Sequence, residues 1–549
     1  MSAKLIRYWH TIRHLKPIQI YGRLWFNIYR PRPDLSPAPP IRNSSGNWIT
    51  PAPKNTSMLS PSRFRFLNAE HEIRKQSDWN NPAWAKLWLY NLHYFDDLNA
   101  QDAECRKKWH DALLARWVEE NPPSKGIGWE PYPISLRIVN WIKWFLTENT
   151  LSERYLHSLA VQARCLYKRP EYHLLGNHLF VNAKALVFAG LFFKGPEPAK
   201  WLHKGLRLLA RETSEQILED GGHFERSPMY HSIILEDMLD LINIARIFGD
   251  AFPERYRRLL QQWVDTAGKM MTWLKTMTHP DGNIVLFNDA AFNITPTLKD
   301  LTNYAERLAI ELCTGPSKGR THLKETGYVR IESGEAIAFL DVGTVGADYL
   351  PGHAHADTLT FELSLSGQRV IVDSGTSIYD IGKERLRQRG TAAHNTVIIG
   401  GENSSEVWDS FRVAHRARPF GLQITEKNGS ISVVCAHNGY KRMSGKPTHQ
   451  RSWHFSENRM KVADTVSGEL RDACGRFHFH PDIKVKPSTT NDSGELVLNN
   501  GRAIRWQILK GMGSLIPSTY HPEFGISLDN KCLEVRFDDS QIEVLFLWE

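Results

Sequence analysis

The chain has little cysteine chemistry to offer. Its six cysteines, Cys105, Cys165, Cys313, Cys435, Cys474 and Cys532, stand singly, and none makes CxxC or another zinc spacing. That argues against zinc-ribbon and dithiol chemistry. A chain of 549 residues can build its cores without disulfides, so reduced and mostly buried thiols are expected. No run of about 18 apolar residues occurs, so no membrane span is expected. The opening MSAKLIRYWHTIRHLKPIQIYGRLWF has no apolar h-region and no small-residue cleavage site. A secretory signal is therefore not expected. The cytoplasm is the default compartment, with non-standard export to the periplasm or exterior as the alternative. There is no long Lys/Arg tract either. The formal net charge of +8 favours an anionic partner, but dispersed basic residues give no footprint for nucleic acid.

What is present describes a folded globular protein, 41% hydrophobic and 23% charged, long enough for two or three domains. Residues 1–30 are basic and aromatic. They read as an amphipathic helix lying on a membrane or partner, or docked on its own domain. Residues 31–62, rich in Pro, Ser and Asn, read as a linker or surface wrap. Helical spacing of apolar residues then predicts helices over 104–120, 133–148, 152–168, 175–194, 198–219, 230–248, 253–277 and 298–313. Successive helices of similar length suggest a helical toroid or hairpin array, without a clear sequence repeat. After residue 323 the period becomes two. AIAFLDVG, LTFELSL, RVIVDSG, NTVIIGG, ISVVCAHNG, RFHFHPDI and IEVLFLWE read as strands between turn residues. The expected organisation is a segment 1–62, an all-α domain 63–320 and an antiparallel β-sandwich 321–549.

The chemistry concentrates in Pro351–Thr396. PGHAHADTLTFEL, GQRVIVDSGTSIYD and RQRGTAAHNTVIIGG place His353, His355 and His394 with Asp357 and Asp373 among strands and Gly-marked turns. Residues i and i+2 of an extended segment share a face, so His353 and His355 can look into one cleft. Imidazole and carboxylate together suit zinc and similar divalent ions. The helical half adds Asn177-His178 at the start of an apolar helix, where an N-cap role is the plain alternative. It also adds DGGHFERSPMYH, where a Gly turn and Pro228 lead into a helix crowded with His223, Glu225, Arg226, Tyr230 and His231.

These stretches, with FNDAAF at 287–292, resemble the heparinase II/III-like polysaccharide lyases over roughly residues 80–480. The resemblance implies an N-terminal incomplete (α/α) toroid followed by a C-terminal antiparallel β-sandwich. It also implies β-elimination on uronate-containing polysaccharides such as heparan sulfate, chondroitin, hyaluronan or alginate. It assigns Tyr230 and His353 to catalysis and Asn177 and His178 to the uronate carboxylate. It makes His355, Asp373 and His394 metal ligands, with zinc the first expectation and manganese or calcium alternatives. Some members carry a Glu shortly after the Asn-His pair, whereas here Leu179-Phe180-Val181-Asn182 follows.

The residues support this chemistry on their own terms. A uronate C5–H is too weakly acidic to leave while the adjacent carboxylate keeps its full charge. Elimination therefore needs donors that neutralise the carboxylate, a base for the C5 proton and an acid for the O4 leaving group. Asn177 and His178 are the candidate donors, with Arg226 or Arg389 as added cations. Tyr230 is the candidate acid, and also the base if both groups leave from one face; His353 is the base if they leave from opposite faces. The 18 Trp and the stretches at 79–98 and 126–141 suggest sugar-binding surfaces. Trp88, Tyr90, Asn91, His93, Trp129, Glu130, Tyr132 and Arg137 are candidates there, against packing between helices. His478 and His480 form a second HxH on a predicted strand without an acidic partner, read as structural or cleft-lining. A uronate C5-epimerase and a non-catalytic polysaccharide-binding protein of capsule or exopolysaccharide assembly are rival functions. A glycoside hydrolase is disfavoured because His and Tyr, not paired carboxylates, dominate.

Overall fold

The computed structural model describes residues 3–147, 152–312, 315–316, 318–469, 472–489 and 492–548; Cys313 lies outside them. The N-terminal segment forms two helices, α1 (Ala3–Ile12) and α2 (Pro17–Ile28), where one was expected. Pro17 at the first position of α2 explains the break, since its fixed φ suits a helix start but not an interior. Residues 31–62 then wrap over the helical half. Arg42 N donates to Phe192 O, Arg164 binds the carbonyls of Ser36 and Pro37, and Lys54 N donates to Asn99 O.

Nine helices follow among the described residues up to 307: α3 (Lys86–Tyr94), α4 (Lys107–Glu120), α5 (Pro131–Leu146), α6 (Glu153–Lys168), α7 (Gly176–Phe192), α8 (Pro196–Gln216), α9 (Pro228–Ile247), α10 (Arg257–Thr276) and α11 (Leu298–Arg307). Helices α5, α7 and α9 are buried on nearly every face, whereas α4, α6, α8 and α10 bury a single stripe. A helix apolar all round must lie inside and an amphipathic one outside. The arrangement is thus an inner ring of helices backed by an outer one. One apolar core runs through it, from Ala52 to Ile310.

The remainder is antiparallel sheet with one short α-helix among the described residues, α12 (Lys383–Arg389). Five strands pair in chain order, Gly319–Leu323, Tyr328–Ser333, Ala336–Asp341, Phe361–Leu365 and Gln368–Ile371. An eight-stranded sheet runs in space through Pro419–Lys427, Ser430–His437, Thr448–Ser456, Arg459–Ser467, Gln541–Trp548, Ala503–Lys510, Ser493–Val497 and Lys484–Pro487. Along Thr448–Ser456 and Arg459–Ser467 burial alternates, with Trp453, Phe455, Met460 and Val462 inward. Four further strands, Met512–Tyr520, Leu528–Arg536, Ala473–His478 and Val397–Ile399, form a third sheet. The inner faces of the sheets share one core. The architecture is the expected toroid followed by β-sandwich. The two halves meet through Met229, Tyr230, Leu286, Ala290, Val372, Tyr520 and Phe524. Tyr230 therefore sits in the seam between them.

Candidate active site

Two helix N-termini supply the helical side of a cavity of about 1090 Å³ at that seam. At the start of α7, Leu175 and Gly176 both have positive φ, 59° and 50°. A Cβ on Gly176 would lie 2.4 Å from Leu350 Cδ2 and 2.9 Å from Glu225 Oε1, so this turn requires glycine. It brings Asn177 and His178 to the cavity wall. At α9, the Ser227 hydroxyl caps the helix by accepting from Tyr230 N, and Pro228 takes the first position. Tyr230 follows one half-turn later and also lines the cavity.

The β half contributes His353 from the loop between Ala336–Asp341 and Phe361–Leu365. Its imidazole stacks on the Tyr230 ring, centroids 3.9 Å apart and planes 28° apart. The Tyr230 hydroxyl lies 3.3 Å from that of Tyr379. Burial, then the neighbouring Tyr379, holds the Tyr230 phenol well above its ordinary value, so it is protonated. His353 Nδ1 lies 2.9 Å from Asp289 Oδ2, and its Nε2 lies 3.7 Å from Glu225 Oε2. Burial also raises the Glu225 carboxyl, with the nearby His353 only partly opposing it.

Asp289 is the hub of the β side and is absent from the expected site residues. Its carboxylate receives both terminal nitrogens of Arg385, at 2.5 and 2.6 Å, and lies 2.8 Å from His355 Nε2. Burial alone would raise this carboxyl. The Arg385 charge and the hydrogen bonds from His353 and His355 outweigh burial and hold it well below the usual carboxylate range. An ionised Asp289 can only accept, so His353 Nδ1 donates to it and the ring is held in place. Its position in FNDAAF was the available signal.

The carboxylate-binding pair is also oriented. His178 Nδ1 lies 3.1 Å from Glu171 Oε2. Burial lowers this histidine, but Glu171 outweighs that and raises it above its ordinary value, favouring a cationic donor. The acid thus comes from seven residues before His178 rather than from the helix after it. Asn177 Nδ2 lies 3.0 Å from the Tyr132 hydroxyl, and its buried Oδ1 has no partner. Turning the amide over keeps the Tyr132 contact, with the phenol donating, and points the amide N–H groups at the unpartnered side. The cavity floor is charged. Lys143 pairs with Asp240, Lys184 with Asp237 and Asp240, and Lys54 with Glu236. Sequence spacing gave no sign of this, because the partners come from the wrap and from separate helices.

Tyr90, Asn91 and Tyr132 line the cavity as expected candidates, and seven other expected binding residues, His93 among them, do not. Trp88 is buried, its indole N–H donating to Ala69 O. Trp129 donates to Asn121 O and packs on Trp117. Arg137 is fully buried over the Trp117 ring and binds Gln162, His93 O and Gly128 O. Glu130 turns to Lys86 and the Tyr90 hydroxyl. Arg226 is drawn off to Thr344 and Glu325 O, and Arg389 to Ala354 O and Asp409 O. Each was read as a site residue from its polar tip, and each turns that tip to backbone or a neighbour, with only Arg226 Nε buried without a hydrogen-bond partner. His93 and His478 are likewise buried and bonded within the fold. His223 and His231 support the turn before α9 from beneath, through Gln216 and Met270 O.

The expected metal ligands lie behind His353. His394 Nδ1 is 2.8 Å from Asp373 Oδ2, and the His355 and His394 rings are 5.3 Å apart. Among the described residues no three His, Cys, Asp or Glu groups are gathered as a metal-holding cluster. Two buried nitrogens there, His355 Nδ1 and His394 Nε2, have no hydrogen-bond partner. The donors on offer are thus imidazole nitrogens beside a carboxylate, a borderline set that fits zinc in kind.

Residues 66–309 match the family model for the heparinase II/III N-terminus, and residues 315–541 that for the heparinase II/III-like C-terminal domain. A heparin-sulfate lyase of Bacteroides stercoris is 26% identical over 391 residues, covering 66% of this chain and 55% of that protein. FtsZ-localized protein C of Caulobacter vibrioides is 21% identical over 349 residues, covering 59% and 56%. The chain spans about half the length of the curated relatives it matches. A solved structure of heparinase III superposes with a TM-score of 0.66 at 20% identity, over 83% of this chain and 76% of that one.

Proposed function

Since the chain belongs to the heparinase II/III-like family, we propose that it is a polysaccharide lyase that cleaves a uronate-containing glycan by β-elimination. A glycosaminoglycan-like polymer is the first candidate substrate, because the Bacteroides stercoris relative is a heparin-sulfate lyase. Alginate-like polymers and bacterial exopolysaccharides are the others. The observation that carries this reading is the stacking of Tyr230 on His353 at 3.9 Å, in the same cavity as Asn177 and His178.

Each requirement of the elimination then has a residue. The raised His178 and the Asn177 amide take the uronate carboxylate and stabilise the charge that develops on it. His353, its Nδ1 proton held by Asp289, offers Nε2 to the C5 proton. Tyr230, kept protonated, gives its proton to O4. Rings stacked this closely leave no room for a pyranose between them. The two groups therefore approach the sugar from one side in this conformation, the case in which Tyr230 is the expected acid and base alike. A phenol kept protonated is not available as the base, which leaves the C5 proton to His353.

A divalent ion, zinc first and manganese or calcium next, is part of the proposal. His355 and His394 with Asp373 would hold it, and it would pin the loop that carries His353. A uronate C5-epimerase would use the same donors and the same proton abstraction. A non-catalytic glycan-binding role is the other alternative, because one curated relative of the chain is named for FtsZ localisation rather than for a reaction.

The test is incubation with a panel of uronate polysaccharides, read by the ultraviolet absorbance of unsaturated uronate and by product mass. Absorbance with shortened chains supports lyase action. Changed C5 configuration without absorbance supports the epimerase, and tight binding without any change to the glycan supports the binding role.

A further inference from the structure

The α1–α2 hairpin has properties that the cleft chemistry does not use. Between Met1 and Pro33 the chain has Lys4, Arg7, Arg13, Lys16, Arg23, Arg30 and Arg32 and not one Asp or Glu. Nearly all of the formal net charge of +8 therefore sits in this segment. Arg7 pairs with Glu406 and Lys16 with Glu215. Among the described residues none of the other five is paired with a carboxylate.

The hairpin is also fixed by one side only. On α2, Gln19 donates to Tyr349 O, Gly22 packs against His173, and Phe26 lies 4.2 Å from the His173 ring. On α1, Tyr8 meets Trp408 edge-on and His10 lies on His415. The opposite side is apolar and open to solvent. Ile20, Tyr21, Leu24, Trp25 and Ile28 recur at i, i+1, i+4, i+5 and i+8 along α2, with Leu24 and Trp25 each 61% and Ile28 78% exposed. Trp9 and Ile12 of α1 are exposed as well, Trp9 at 60%. A stable helix with a wide apolar stripe facing water calls for a partner.

We propose that this hairpin docks on an anionic lipid surface. Its make-up is that of an interfacial amphipathic helix pair, with Trp and aliphatic side chains for the acyl boundary and unpaired cations for lipid headgroups. A polyanionic glycan would use the cations but leave the Ile28–Trp25–Leu24 stripe in water. A second copy of the chain would set one acid-free basic hairpin against another and meet strong repulsion. Thr11, Ile12, Leu15, Ile20 and Leu24 also border the cavity. Docking by this face therefore brings the cleft mouth to the bilayer surface.

The test is sedimentation of the full chain with vesicles of phosphatidylcholine alone or mixed with phosphatidylglycerol. The expected result is binding to the mixed vesicles that weakens with added salt, and little binding to phosphatidylcholine. Trp25→Ser with Ile28→Ser, and separately Arg13→Glu with Arg30→Glu, should each weaken binding by roughly tenfold or more. Hydrogen exchange on the unmodified protein guards against variants that misfold. Amides of residues 3–28 should slow on adding mixed vesicles. No binding to mixed vesicles, or binding without protection of these amides, would overturn the proposal. So would variants that lose affinity for an anionic polysaccharide, or that lose concentration-dependent dimers, while keeping lipid binding intact.

Discussion

His353 lies face to face with Tyr230, ring centroids 3.9 Å apart, although one comes from a sheet loop and the other from the first turn of α9. The contact joins the two halves of the molecule at the point where the proposed proton transfers occur. It also makes the role of each ring separable by substitution. Tyr230→Phe keeps the stack and the apolar seam and removes only the hydroxyl and its contact with Tyr379. Turnover on the cleaved glycan should fall by about 100-fold or more, while the melting temperature stays close to that of the unmodified chain. Full activity in this variant would remove Tyr230 from the chemistry.

Asp289 holds Arg385, His353 and His355 at once and is fully buried. Asp289→Asn keeps the shape but loses the charge that Arg385 faces. Leaving that guanidinium buried without its counter-ion should cost about 3–5 kcal/mol, read by chemical denaturation. Activity should fall as well, because the amide cannot hold the His353 proton on Nδ1. A variant as stable as the parent would show that the Asp289–Arg385 pair is replaceable by neutral packing.

The order of helices and strands was legible because α7 and α9 are so apolar, and because strands such as Ser430–His437 alternate in burial. Boundaries agreed to within a few residues where a Pro or Gly marked them, as at Pro228 and Gly176. The pair Asn177-His178 and the residues Tyr230 and His353 were readable from local motifs. Of their orienting partners, only Asp289 had a local sign, its place in FNDAAF. Glu171, Asp289 and Arg385 act across turns or across the seam, and only folding brings them there. The same limit explains Arg137 and Arg389. A buried arginine whose donors meet backbone carbonyls has the same letter as one that faces a cleft.

The proposed metal site predicts about one divalent ion per purified chain, measured by elemental analysis. His394→Ala and His355→Ala should each reduce that content. Chelation should lower the unfolding temperature more than it lowers the initial rate at a temperature well below the transition, as expected for an ion that pins loops. Metal-free protein with unchanged stability and unchanged response to chelator would sink the structural role.

Asp97 gives a prediction about acid stability that is independent of the cleft. Its carboxylate accepts from Ser57 N and Met58 N and lies 2.8 Å from both Arg106 Nε and His110 Nε2, tying the wrap to α4. Burial raises this carboxyl, but the bonds from His110, Met58 N, Arg106 and Ser57 N outweigh it and bring it down to about 2. The unfolded chain titrates near the ordinary aspartate value of about 3.9. The folded group is thus the stronger acid. Its contribution of about 2–3 kcal/mol is fully present above the unfolded value and fades as pH falls through the folded one. Asp97→Asn should therefore lower stability relative to the parent at neutral pH, with the gap narrowing between about pH 4 and pH 2. Paired denaturation curves across that range decide the matter. A gap that stays constant with pH would mean that the carboxylate charge at this position does not stabilise the fold.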